Sequence, residues 1–327
     1  MVRLRSAKTY IFIGLLMATA LLAACSGDDI TDNGGGATEI RLKADCWQVM
    51  TGGTRAATFD NAQQLEAETG GFMCCVYDYG TTTPYFDAVS VRYDNEEGAW
   101  KFQDGKHYWP ATGALDFFAY MPATVPSYIT DVSDVAGQVT YASGNPQFKC
   151  VSLPVTNAGQ DGIKEFIFAM AANQDKAHQG ATGVALNFMH PFARINLNLS
   201  AGQLYDVTIN SITFKSVKNN GTYTHTATPD RWTTPTGDDT NLVVTLNQEY
   251  TVTGKEQLLY APCLVIPQEW TGEIEVSATW TEWGETINST VTATVPTTWL
   301  PGYSYDYVFT ISSEDLKVDT EKFTEQW

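Results

Sequence analysis

From residue 38 onward, apolar residues in this chain recur at every second position. Ile40, Leu42, Ala44 and Cys46 alternate with Glu39, Arg41, Lys43 and Asp45. That period of two predicts a half-buried strand with one charged and one apolar face. Gly71 to Tyr77 and Ala88 to Tyr93 read as further strands, and a turn over Asp94–Gly98 leads back into Trp100-Lys101-Phe102 as a hairpin. Leu115 to Met121 is a bulky buried run ended by Pro122, and Phe166 to Ala169 is another. Residues 123–160, rich in Pro, Ser, Asp, Gly and Asn, read as loop.

A polar stretch over 171–183 suggests a boundary near residue 180. Beyond it the pattern is more regular. Ile195, Leu197 and Leu199 alternate with asparagine, Ile274, Val276, Ala278 and Trp280 form one face, and Tyr303, Tyr305, Tyr307, Phe309 and Ile311 form another. In the tail, 312–327, Leu316 and Val318 share one parity and Phe323 and Trp327 the other. The tail reads either as a terminal strand on its own domain or as a free strand able to pair elsewhere. No long amphipathic helix is legible after residue 24. Many short strands separated by turns predict an all-β chain of Greek-key β-sandwiches. About 270 folded residues predict two of them in tandem, over 38–180 and 181–327.

The first 24 residues follow a different rule. Arg3, Arg5 and Lys8 precede an uncharged apolar run from Ile11 to Ala24. The run is short for a membrane span, which needs ~20 apolar residues, and its place at the N-terminus predicts a cleaved signal. Leu22-Ala23-Ala24-Cys25 resembles a bacterial lipobox, in which the cysteine thiol takes a diacylglycerol and the signal is cut just before it. The other reading is an ordinary secretory signal with a chance cysteine. Residues 25–37, with Asp28-Asp29 and Gly34-Gly35-Gly36, read as a flexible tether.

Arg55 lies among small residues, in Thr51-Gly52-Gly53-Thr54-Arg55-Ala56-Ala57. The segment is either a plain turn or a place where a trypsin-like protease cuts between Arg55 and Ala56.

Composition narrows the functional classes. The chain has 37 acidic and 19 basic residues; loss of 1–24 removes three basic residues and takes the formal charge from −18 to −21. Such a surface repels nucleic acid and anionic headgroups. Lipidation of Cys25 leaves Cys46, Cys74, Cys75, Cys150 and Cys263, an odd number with no Cys-x-x-Cys. Cys74 and Cys75 are adjacent and face opposite sides of a strand. His107, His178, His190 and His225 lack metal-ligand spacing, and Glu96-Glu97 reads as a solvated turn. No hydrolase, zinc-protease or phosphate-loop motif is present. The expectation is a non-enzymatic protein with no cofactor.

Several motifs together resemble one family. They are the lipobox, the arginine about thirty residues after it, Tyr108-Trp109-Pro110, Leu115 to Tyr120, Leu186-Asn187-Phe188-Met189-His190 with Ala193-Arg194-Ile195, Val265-Ile266-Pro267-Gln268, and Pro301-Gly302-Tyr303-Ser304-Tyr305. In this order they look like the fimbrillin-like proteins, lipoprotein precursors of pilus subunits in gut and oral Gram-negative anaerobes. The resemblance implies two transthyretin-like sandwich domains and an outer-membrane lipoprotein precursor anchored through Cys25. It also implies an arginine-specific surface protease that cuts after Arg55. The lost strand would be Thr38–Met50, with Ile40, Leu42, Ala44 and Cys46 vacating a groove. A strand from a neighbouring fimbrial subunit would refill that groove by β-strand addition, head to tail. The tail, with Leu316, Val318, Phe323 and Trp327, is the candidate donor, and the subunit is a stalk or a tip. The alternative is a surface glycan-binding lipoprotein whose exposed Trp and Tyr stack on sugars; a host or glycan ligand is compatible with either.

Overall fold

The alternating runs become strands, and the strands assemble into four sheets and two short two-stranded ladders. A computed structural model describes residues 37–327 except 46–47, 51–55, 59–65, 67–68, 133–137, 143–144, 162, 181, 201–206, 226–231, 234–239, 251–256, 271, 312–315 and 324–327. The leader, Cys25, most of the tether, Cys46, Arg55 and Trp327 lie outside the described residues. Among the described residues no helix is long and apolar enough to cross a membrane.

The first sheet has seven strands. They run β11 (Ile167–Gln174), β7 (Leu115–Met121), β4 (Phe72–Asp78), β5 (Pro84–Asp94), β6 (Ala99–Phe102), β1 (Leu42–Asp45), β12 (Val184–Asn187). The predicted hairpin is β5–β6, with Tyr93 opposite Trp100. The sheet curls until its edges meet: Met189, just past β12, exchanges backbone hydrogen bonds with Phe168 of β11, 2.7 and 3.2 Å long. Inside the curl lies one core, with Ile40, Leu42, Phe72, Trp100, Trp109, Phe117 and Leu186 all buried. Cys74 points into this core and Cys75 into the next, as neighbouring strand residues must.

Residues 123–160 correct the expectation of a loop. They hold β8 (Ile129–Thr130), β9 (Thr140–Ala142), β10 (Asn145–Cys150) and a single helical turn, Asn157–Gln160. The Pro- and Ser-rich composition hides strands that are stable only through their neighbours. Those neighbours come from the other half of the chain. β15 (Gly221–Thr224) pairs with β10, and β16 (Trp232–Thr233) pairs with β15. Phe148 of β10 stacks on Tyr223 of β15, ring centres 4.9 Å apart. This sheet covers the outer face of the first around a second core that takes Phe148, Phe166 and Phe168 from the first half and Phe192, Tyr223 and Ile266 from the second.

The third core lies between two four-stranded sheets. One runs β18 (Gln257–Val265), β13 (Ala193–Ser200), β23 (Ser304–Ile311), β24 (Leu316–Phe323). The other runs β17 (Thr240–Tyr250), β14 (Val207–Val217), β20 (Glu273–Glu282), β21 (Glu285–Thr294). Ile195, Ile212, Val276 and Tyr307 meet between them. Next to the short ladder of β19 (Glu269–Trp270) and β22 (Thr297–Thr298), the Trp270 and Trp299 rings stack 5.2 Å apart and 10° from parallel. β12 follows the division read near residue 180 yet belongs to the first sheet, and residues 37–327 form one unit with a shared middle core.

Candidate functional site

The N-terminal strand is an interior strand. Leu42, Lys43, Ala44 and Asp45 of β1 pair in parallel with Val184, Ala185, Leu186 and Asn187 of β12, and Leu42 also pairs antiparallel with Trp100 of β6. Ile40, Leu42 and Ala44 are 2%, 4% and 8% exposed, so the alternation read from sequence is the one that is buried. Burying an aliphatic side chain of this size contributes ~1.5–3 kcal/mol, so Ile40 and Leu42 alone tie the strand in by several kcal/mol.

Upstream of β1 the backbone alternates between two walls. Ile40 N donates to His107 O (2.8 Å), and Thr38 O accepts from Trp109 N (2.9 Å). Facing the other way, Arg41 O accepts from Val184 N (2.8 Å). Arg41 N donates to Gln179 Oε1 (2.7 Å), and Glu39 O accepts from Gln179 Nε2 (3.0 Å). Trp109 Nε1 reaches the same Gln179 oxygen at 3.0 Å. At the rim, Glu39 pairs with Lys106 (2.8 Å), and the Arg41 guanidinium donates to Gly180 O (3.2 Å). Gly183 has φ +104, and a Cβ there would stand 2.7 Å from the Arg41 carbonyl. Only glycine adopts that conformation freely and lets β12 begin so close to β1.

Without β1, the slot would be walled by β6 and residues 107–109 on one side and by β12 on the other. Its floor would hold Trp100, Trp109, Phe188 and Leu186. Both walls would then present unpaired backbone groups. Sequence reasoning found β1 but missed its wall. Gln179 and Gly183 sit in the polar stretch read as a boundary, and nothing local marks a glutamine whose partners lie 70 to 140 residues away.

β1 is joined to the rest of the fold through β2 (Gln48–Met50) and β3 (Ala56–Thr58), which pair antiparallel, Met50 opposite Ala56. Arg55 belongs to the connection between them and lies outside the described residues; Ala56 is the first residue of β3. Within the tail, Leu316–Phe323 is strand β24, paired along its length with β23, Leu316 opposite Ile311 and Phe323 opposite Ser304. Leu316, Val318 and Phe323 are therefore in a strand at the edge of their own sandwich.

The other chemistry-bearing residues do not converge. Among the described residues no cluster could hold a metal ion. Cys74, Cys75, Cys150 and Cys263 are buried free thiols. Burial raises the pKa of all four, that of Cys75 to about 12. In the Glu165–His190 pair, 3.0 Å apart, both side chains are almost wholly buried. Five tryptophans, Trp100, Trp109, Trp270, Trp280 and Trp299, are core. Trp283 is 93% exposed at the tip of the β20–β21 hairpin, and Tyr79, Tyr85 and Tyr108 are exposed on the first sheet's side.

The sequence pattern of the fimbrillin-like family matches residues 54–327, a span that begins beside Arg55 and leaves β1 outside it. Two solved structures share the fold. A fimbrial protein from Bacteroides vulgatus superposes with a TM-score of 0.59 at 15% identity, covering 88% of this chain and 99% of that one. A candidate cell adhesion protein from Bacteroides uniformis does so with a TM-score of 0.51 at 18% identity, covering 88% and 98%. No curated protein matches the sequence.

Proposed function

The chain belongs to the fimbrillin-like family, and from that premise we propose that it is a structural subunit of a cell-surface fimbria that assembles by replacing its own β1. It is exported as a lipoprotein through Cys25 and held at the outer membrane by the lipid. An arginine-specific protease cuts between Arg55 and Ala56. The N-terminal piece leaves, and a strand from a neighbouring subunit enters between β6 and β12.

The observation that carries this reading is the position of β1. It is bonded to β12 on one side and β6 on the other, yet its only covalent link onward runs through the segment that contains Arg55. Cutting there does not itself expel the strand. It converts an intramolecular contact into an intermolecular one and removes the high effective concentration that kept β1 in place. A subunit at high local density then competes for the slot. The donor proposed is 316–323. Among the described residues it is bonded on one side only, to β23, so its departure opens no described sheet interior. Leu316 and Val318 supply two alternate apolar residues, against Ile40 just upstream of β1 and Leu42 and Ala44 within it. A tip subunit needs the slot and no donor, and the shortened apolar pattern of 316–323 counts for that place over one in the stalk.

The Arg55→Ala chain tests the reading. It should accumulate as a lipidated monomer, while the wild-type chain polymerises after arginine-specific cleavage. Polymer formation by Arg55→Ala would contradict the cleavage step.

A glycan-binding role has one observation in its favour. Tyr85 and Tyr108 are exposed and adjacent, the Tyr85 hydroxyl donating to Tyr108 O at 2.8 Å. Retention of the chain on immobilised glycans, lost in Tyr85→Ala with Tyr108→Ala, would support it; no retention would remove it.

A further inference from the structure

We infer that Gln179 is the residue through which the slot recognises whichever strand fills it, by reading peptide groups rather than side chains. The inference rests on the reading of β1 as a removable strand. Gln179 is 2% exposed, and its side-chain amide makes three hydrogen bonds. The oxygen accepts from Arg41 N and Trp109 Nε1, and the nitrogen donates to Glu39 O. Only one orientation of the amide satisfies these partners, because two of them are donors and one is a carbonyl.

Two of the three partners are main-chain groups of the strand. Glu39 C=O and Arg41 N–H point the same way because they are two residues apart on an extended backbone, while the residue between them, Ile40, turns its own N–H to His107. Any extended peptide offers the same pair of groups around every second residue. With its peptide groups so bracketed, a strand must also send an apolar side chain of the right parity into the core, and a slip by one residue turns that face outward. The occupant is thus an extended strand of alternating apolarity with a free N–H two residues after the bracketed carbonyl. A proline at that position is excluded. The segment 316–323 contains none.

The bracket is built without help from β1. Asp175 Oδ1 accepts from Ala177 N and His178 N at 2.8 and 2.9 Å, Gln179 N donates to Asp175 O (3.1 Å), and Gly183 N donates to Gln179 O (3.1 Å). With the strand gone, the Gln179 side-chain amide keeps Trp109 of its three partners and presents a donor and half an acceptor to the next strand. Gln160 clamps Leu264 in a comparable way, at 3.0 and 3.1 Å, in a contact that no cleavage loosens. The decisive measurement therefore has to follow exchange of the occupant.

The experiment takes the full chain after cleavage at Arg55 and offers it a fluorescent peptide of residues 37–50 in two forms. One is the natural amide; the other carries an ester in place of the amide at Arg41, which deletes that N–H. The amide form should bind about tenfold more tightly, the effect of one buried hydrogen bond. In Gln179→Leu that gap should shrink to about threefold or less. Equal binding of both peptides by the wild-type chain would overturn the role of Gln179 and needs no variant to read. So would an unchanged gap in Gln179→Leu. Binding of neither peptide would overturn strand replacement itself, and this inference with it.

Discussion

Leu42 lies beside Val184 in parallel register, joining the start of the described chain to a strand from its middle. The pair is buried on both sides, at 4% and 1% exposure. Leu42 also faces Trp100, so one residue ties three strands together. Leu42→Ala should cost the uncleaved chain ~2–5 kcal/mol, as large-to-small core substitutions do. Urea unfolding followed by tryptophan fluorescence measures it. A loss under ~0.5 kcal/mol, the usual effect of a surface change, would mean that β1 contributes little to the fold.

Gly183 makes the same contact from the other direction. A side chain there meets the Arg41 carbonyl at 2.7 Å and must also accept a positive φ. Strain of this kind costs ~1–3 kcal/mol. Gly183→Ala should therefore speed hydrogen exchange at the Ile40 and Arg41 amides while leaving the third-core strand β14 protected. Uniform loss of protection across the chain would show that the glycine serves the whole fold rather than the slot.

The strand content was legible wherever apolar residues alternate without interruption. Ile40, Leu42 and Ala44 were read as one buried face and are so. The opposed faces of Cys74 and Cys75 followed from adjacency alone. What stayed hidden was pairing over long range. Asn145–Cys150 reads as loop because Pro146, Gln147 and Lys149 dilute Phe148, and its stability comes from Tyr223 and Trp232. Gln179 was hidden for the same reason: a polar residue in a polar stretch gives no local sign that its partners are main-chain groups far away. The apolar parity of the tail fits a terminal strand and a free strand equally well, and Leu316–Phe323 is paired with β23.

The four described thiols should be inert while the chain is folded. Alkylation by iodoacetamide at pH 8 should spare Cys74, Cys75, Cys150 and Cys263 and label them after denaturation. The same burial predicts an alkaline limit. Burial raises the folded pKa of Cys75 to about 12 and that of Tyr307 to about 12. A group whose folded pKa is raised contributes stability below its unfolded value and loses it as pH rises through the folded one. Denaturant midpoints should hold up to pH ~8.5, the ordinary thiol value, and fall progressively above it. Rapid labelling of any of these four at pH 8 would place that thiol at the surface.

β24 offers a separate handle on assembly. A chain ending at Ser312 should still fold, because among the described strands β24 is an edge strand bonded only to β23. After cleavage at Arg55 it should accept an added strand peptide but form no fibres of its own. Fibres of normal length from this truncated chain would assign donation to another segment.

The central claim is that the strand filling the slot in the precursor is not the one filling it in the fibre. The N-terminus of subunits taken from assembled surface fibres tests it most directly, by N-terminal sequencing and intact mass. The account predicts subunits that begin at Ala56 and lack residues 38–50. Fibre subunits that begin at Cys25 and still carry Ile40 and Leu42 would contradict it.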